Sequence, residues 1–343
     1  MEQPTTGAEL LALARGYQPA ALLIGLIELD ICSALAAAGE EGLSVTELAG
    51  QLNLQARPMA ALLEAAAAFG LLVTKEGRFL NSALTDRYLV RGRPEYLGNQ
   101  IASQADQYRG WADLPLAVRE GRTVLPNLQN GEEASADPAL RRLLTGLHRG
   151  GQGLLPHLTP LLDPYLRTAR QLLDIGSGLG TFGVGWAEQY PQLEVTLLDR
   201  PGVLEMARES AATSPAQERI HFLPGDYRRL DFGRERFDLA LFFQVLRTEG
   251  PEAVRQLLKK AALALKPGGY VVIYDTRLED NRTGPLENVL QNLTMSLMYE
   301  EGGIFTASEL ETWLEGTGLK LVGSWPVTAT ARPMILYLAA RII

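Results

Sequence analysis

The chain has 343 residues, more than one ordinary hydrophobic core organises, so two domains are the starting expectation. Hydrophobic residues at 46% and charged residues at 21% exclude a disordered or fibrous protein. The formal net charge of -8 gives no overall attraction to phosphate backbones or anionic membranes, so neither nucleic acid nor a membrane is an expected partner.

Cys32 is the single cysteine, which excludes an intrachain disulfide and a cysteine-rich metal centre, and no metal is expected. The first residues lack the basic, apolar and cleavage regions of a signal peptide, and a lone cysteine suits a reducing compartment, so the location reads as cytoplasmic. The most apolar early stretch, residues 19–27, is interrupted by Glu28 and Asp30 before the ~18 to 20 residues of a membrane span. It reads as a buried helix. Asn281 and Asn292 open glycosylation patterns that, without a secretory route, read as chance matches.

In chain order, residues 7–38 predict two Ala- and Leu-rich helices, apolar around so much of their surface that a second subunit is the expected cover. Ser44 with Glu47 three residues on predicts a helix start, and a second helix follows over residues 57–69. Residues 71–80 alternate around Glu76-Gly77, a small hairpin. Helix, helix, hairpin is a winged-helix pattern. The segment in the recognition position, residues 58–69, is almost devoid of groups for phosphates or base edges, which argues against DNA binding. Helices are expected at 97–119 and 138–162, with a loop at 124–137.

From Arg170 the pattern changes to apolar strands alternating with helices: RQLLDIG, LEVTLLD, RIHFLPGD, FDLALFFQV and GGYVVIYDT. That alternation predicts a doubly wound, mostly parallel sheet covered on both faces, closed by a hairpin of residues 319–325 and 334–342.

The strongest local signal is LLDIGSGLGT, an apolar strand running into a glycine loop and then a helix. Gly176, Gly178 and Gly180 allow a sharp turn and close ligand approach, flanked by Asp174 and Ser177, while the helix start offers free amides. Asp199, with Arg200 beside it, ends the next strand about twenty residues on, where a carboxylate accepts from both ribose hydroxyls. Gly225-Asp226-Tyr227 ends the third strand and can meet an adenine amino group and face. Phe243 and Gln244, at the end of the fourth, complete the expected cofactor set. This spacing favours S-adenosylmethionine over NAD, because the third element recognises adenine rather than a second nucleotide.

Through LLDIGSGLGTF, Asp199-Arg-Pro, GDY, AALALKPGGYVVIYD and FTASELETWLEGTGL, the chain resembles the small-molecule O-methyltransferases of plants and bacteria. The resemblance covers nearly the whole length. It implies a Rossmann-like class I methyltransferase domain with a seven-stranded sheet (residues 161–343), and an N-terminal all-helical, winged-helix dimerisation domain (residues 1–160). It also implies S-adenosyl-L-methionine as cofactor, a homodimer, and a small-molecule acceptor, aromatic or enolic, held near Tyr108, Trp111, Asn292, Met295 and Met298; His148, on a helix that can border the pocket, is a further candidate for substrate contact.

The departures from the family matter as much. Members resembling the plant phenol methyltransferases read L-H-D-W after the fourth strand, with His as general base. Here the segment is Leu246-Arg247-Thr248-Glu249, and an arginine cannot take a proton from a phenol because it stays charged. The two carboxylates that flank that His align with Asp275 and Ile304, so one is lost. Arg247 and Asp275 are therefore the catalytic candidates: Arg247 to hold an anionic acceptor group, Asp275 as the nearby base. O-methylation is the default expectation. C- or N-methylation, as in the similar bacteriochlorophyll C-20 type, and a different reaction on the same cofactor remain alternatives.

Overall fold

The computed structural model describes residues 3–125, 137–330 and 332–342. It divides into two compact units, Met1–Arg109 and Gly110–Ile343. The expected boundary after residue 160 falls inside a long helix of the second unit.

The first unit opens with α1 (Gly7–Ala14), α2 (Tyr17–Glu28) and α3 (Ile31–Ala37). The two helices expected over residues 7–38 are thus three. The chain turns at Arg15-Gly16, and Asp30 adopts the left-handed φ of 55° that ends one helix and redirects the next. Burial also differs from expectation. α1 has no buried residue, and within α2 only Ile24, Leu26 and Ile27 are buried. Taken together, residues 7–28 form a helical stretch of 22 residues, long and apolar enough by length and composition to cross a membrane, which reading residues 19–27 alone missed.

The capping box predicted for α4 (Val45–Leu52) is present in full: the Glu47 amide donates to Ser44 Oγ, and the Ser44 amide donates to Glu47 Oε2. α5 (Ala56–Ala68) follows, then β1 (Leu72–Lys75) and β2 (Arg78–Asn81), paired antiparallel. Glu76 and Gly77 both have positive φ, the conformation a two-residue hairpin needs. The hairpin makes the unit largely helical rather than all-helical. A helix that sequence periodicity did not reveal, α6 (Ala83–Leu89), is started by Ser82 Oγ accepting from the Thr85 amide. Leu26, Ile31, Leu35, Leu48 and Leu63 form the centre of this unit's core.

The helix expected over residues 97–119 is two, α7 (Gly98–Ala112) and α8 (Leu114–Glu120), broken at Asp113. Pro115 explains the break, since it donates no amide and is tolerated only in a helix's first turn. Most of the loop expected over residues 124–137 lies outside the described residues. α9 (Pro138–Leu166) continues through Pro156, Pro160 and Pro164. Their four-residue spacing puts them on one exposed stripe, where water can take the carbonyls the prolines leave unpaired.

The second unit is built on β3 (Gln171–Ile175), α10 (Thr181–Gln189), β4 (Glu194–Asp199), α11 (Pro201–Ala211), β5 (Ile220–Pro224), β6 (Phe237–Phe243), α12 (Pro251–Ala264) and β7 (Leu265–Thr276). α13 (Leu286–Met298), α14 (Ala307–Leu314), β8 (Leu319–Val327) and β9 (Met334–Arg341) complete it. The seven strands lie in the order β5-β4-β3-β6-β7-β9-β8, all parallel except β9, which is antiparallel to both its neighbours. Strand order reverses between β3 and β6. That switch opens a crevice at the carboxyl ends of the strands, where α/β sheets hold ligands.

Candidate active site

The glycine loop leaves β3 at this switch. Gly176, Gly178 and Gly180 all have positive φ (67°, 55° and 75°), and Gly180 caps the start of α10. Space is as restrictive as conformation: a Cβ on Gly180 would stand 2.5 Å from Leu197 Cδ1, and one on Gly176 2.7 Å from Val245 Cγ2. The latter contact brings the segment after β6 against the glycine loop.

Asp199 ends β4 with both oxygens engaged: Oδ2 accepts from the Gly178 amide at 2.8 Å and Oδ1 from the Arg200 amide at 2.8 Å. Each oxygen keeps a second acceptor direction, which a ribose diol can use. Burial raises its carboxyl, and the two backbone donors oppose that rise. Asp174 Oδ2 and Ser177 Oγ are buried polar atoms with no hydrogen-bond partner among the described residues. Burial pushes the Asp174 carboxyl up to about 7. The Tyr227 ring lies against Gly176, and its hydroxyl donates to Glu249 Oε1 at 2.6 Å. Asp226 accepts from the amide and the guanidinium of Arg228. Unpartnered polar atoms, a glycine cradle, paired amides and an adjacent ring fit a nucleoside-bearing ligand with a polar tail.

Two nominated residues are turned to structural work. Phe243 packs into an aromatic cluster, 4.7 Å from Phe182 and 5.4 Å from Tyr274 between ring centroids. Asn292 Oδ1 accepts from the Ile304 amide at 2.7 Å and so fixes the chain after α13. Gln244 adopts a φ of 60°, and its Oε1 accepts from Arg247 Nη2 at 2.6 Å.

The base position holds an ion pair. Arg247 Nη1 stands 3.6 Å from Asp275 Oδ1, with side-chain exposures of 14% and 0%. Asp275 Oδ1 also accepts from the Thr276 amide at 2.8 Å, while Oδ2 has no partner among the described residues. Burial raises the Asp275 carboxyl; the Arg247 charge and backbone donors pull it back. Ile304, at the second flanking position, is core.

Met295 and Met298 are buried in a cluster with Trp111 packed against it. His148, on α9, has Nδ1 2.8 Å from Thr181 Oγ1 at the start of α10, and burial lowers its pKa. Tyr108, on α7 in the first unit, is exposed. Sequence reasoning gave no role to Glu249, though it stands in the quoted Leu246-Arg-Thr-Glu segment. It also missed Gln291 and Arg332, whose hydrogen bond joins residues 41 apart and leaves no local signal. Among the described residues no group of three or more His, Cys, Asp or Glu could hold a metal ion.

Residues 154–320 match the O-methyltransferase domain family. The chain is 28% identical over 314 residues to the tetracenomycin polyketide synthesis 8-O-methyl transferase TcmO of Streptomyces glaucescens, covering 90% of each. It is 29% identical over 311 residues to the 3-hydroxy-5-methyl-1-naphthoate 3-O-methyltransferase of Streptomyces sahachiroi, covering 89% of this chain and 87% of the relative. The fold is shared with human N-acetylserotonin methyltransferase, solved in complex with SAM, at a TM-score of 0.81, 23% identity and full coverage of both chains.

Proposed function

The chain belongs to the S-adenosylmethionine-dependent O-methyltransferase family, and from that premise we propose how its residues divide the work. It is a methyltransferase acting on a small molecule, with S-adenosyl-L-methionine as cofactor and O-methylation as the default. That cofactor supplies an electrophilic methyl group for in-line displacement. Gly176, Gly178, Gly180 and Ser177 form its cradle in our reading, Asp199 accepts from the ribose, and Asp226 and Tyr227 take the adenine.

The observation that carries the catalytic reading is the buried Arg247–Asp275 pair with Asp275 Oδ2 unpartnered among the described residues. Oδ1 is held by the Thr276 amide and Arg247, which fixes the carboxylate and leaves Oδ2 to accept the proton of an acceptor hydroxyl. Burial makes this carboxylate more basic than an exposed one. Arg247 stabilises the oxygen anion that forms, the role a preorganised cation performs best in a water-poor site. The acceptor is then an acidic hydroxyl on an aromatic or enolic ring, lodged near Trp111, Met295 and Met298. Positioning supplies the rest of the rate. Because Arg247 stands where relatives carry a base, methylation of a nucleophilic carbon or nitrogen is the second reading.

The hairpin β1–β2 with α4 and α5 reads as a winged helix, and the apolar faces of α1 and α2 as the seam of a cytoplasmic homodimer. Methyl-labelled cofactor, incubated with a panel of naphthols and hydroxylated aromatic acids, tests the activity. Labelled ether product and equimolar S-adenosylhomocysteine are expected. Label on carbon or nitrogen would favour the second reading, and S-adenosylhomocysteine without labelled acceptor would refute both.

A further inference from the structure

Glu249 follows the short turn Leu246–Thr248 after β6 and is only 7% exposed. A carboxylate taken out of water costs free energy unless donors meet it, so its partner is informative. Oε1 accepts from the Tyr227 hydroxyl at 2.6 Å, the length of a hydroxyl-to-carboxylate hydrogen bond, across 22 residues of sequence. Thr248 Oγ1 lies 3.4 Å from the same hydroxyl but donates to the Val245 carbonyl at 2.8 Å, which leaves the shorter bond to Glu249 for the tyrosine proton. Burial and the Glu249 charge raise the phenol above its ordinary pKa and keep that proton in place. Tyr227 is held at its other end as well. Lys260 Nζ, from α12, donates to its backbone carbonyl. Between these two anchors the ring edge approaches the glycine loop, with Cε1 3.7 Å from where a Cβ on Gly176 would stand.

We propose that Glu249 is a positioning residue of the cofactor site, holding the Tyr227 hydroxyl so that the ring stands preset as a wall for the adenine. A phenol ring free to swing about its side-chain torsions would lose that freedom on meeting a purine, and the loss would count against binding. Anchored at hydroxyl and backbone, Tyr227 has lost it before the cofactor arrives. Aromatic faces attract at defined offsets, so the placement of the ring sets the strength of the stack as well as its geometry. Glu249 acts on the cofactor only through Tyr227. This inference rests on the reading of Tyr227 as the adenine contact.

The test is calorimetric titration of S-adenosylhomocysteine into the full chain and its variants. Glu249→Ala should weaken binding ~10-fold, the scale of one hydrogen bond to a charged group. Glu249→Gln, which keeps an oxygen acceptor in the same place, should restore most of that affinity. Adding Glu249→Ala to Tyr227→Phe should cost nothing beyond the tyrosine change, because the hydroxyl to be held is already gone. Full affinity in Glu249→Ala, equally weak binding in Glu249→Ala and Glu249→Gln, or additive losses in the double variant each overturn the proposal. If Glu249→Ala fails to fold by circular dichroism, Tyr227→Phe carries the test, and unchanged affinity there overturns it. Tyr227→Ala separates the two levels of the argument. Full affinity in that variant removes the adenine reading and the proposal with it, whereas weakened binding there beside full affinity in Glu249→Ala removes the positioning role alone.

Discussion

Arg247 Nη1 stands 3.6 Å from Asp275 Oδ1, so an ion pair closes the segment after β6 onto the end of β7, at the position where the family resemblance implies a histidine base. The pair couples a residue that cannot take a proton to one whose free oxygen can. Asp275→Asn keeps shape and packing but removes the acceptor, and should lower turnover ~100-fold with cofactor affinity unchanged. Single-turnover rates with saturating cofactor decide this.

The same carboxylate sets a pH limb. Burial raises its pKa, so as pH falls through that raised value Asp275 protonates and the rate declines, beginning at a higher pH than for an exposed aspartate. Asp275→Asn should flatten this acidic limb. A limb unchanged in the variant would assign it to another group.

Asp199 joins the glycine loop to β4 through the Gly178 amide, and in the proposed site its remaining lone pairs accept from the ribose. Asp199→Ala should weaken S-adenosylhomocysteine binding by ~1.5 to 3 kcal/mol, the scale of a charge-assisted hydrogen bond. Titration calorimetry in the presence of a chelator reads the loss directly.

Asp174 gives the ligand-free chain a pH-dependent stability. Its carboxyl is raised by burial to about 7 from 3.8, so the neutral form is favoured in the folded state. The stability it contributes is complete below about pH 4 and declines as pH rises toward 7. Asp174→Asn should remove that slope, and urea midpoints compared at pH 5 and pH 8 measure it.

Gly180 tests the cradle itself. Alanine there adopts a left-handed φ of 75° and meets Leu197 at 2.5 Å, so Gly180→Ala should cost ~1 to 3 kcal/mol of stability and weaken cofactor binding. Thermal unfolding with and without S-adenosylhomocysteine separates the two losses.

The first unit exposes Leu10, Leu11, Leu13 and Tyr17 at 58%, 62%, 51% and 53%, an apolar row on one short segment. A dimer seam there predicts that light scattering finds twice the chain mass, and that Leu11→Asp halves it. Because Leu11 touches no core, the variant should stay folded by circular dichroism.

Periodicity and punctuation determined much of this molecule. Strand–loop–helix at residues 171–189, with three glycines at positions needing positive φ, was legible as a tight glycine loop. Short-range signals also sufficed for the Ser44 cap and the Glu76-Gly77 turn, because both depend on neighbours within three residues. The unbroken run of α9 through three prolines was decided by which face of the helix meets water. The same holds at the site. That Arg247 meets Asp275, that Phe243 turns into an aromatic cluster, and that Arg332 reaches Gln291 are encounters of residues far apart in the chain. Sequence spacing records which chemistry each residue carries. Only the pairing of the sheet, which sets the end of β7 beside the end of β6 and the start of β9, decides which of these side chains meet.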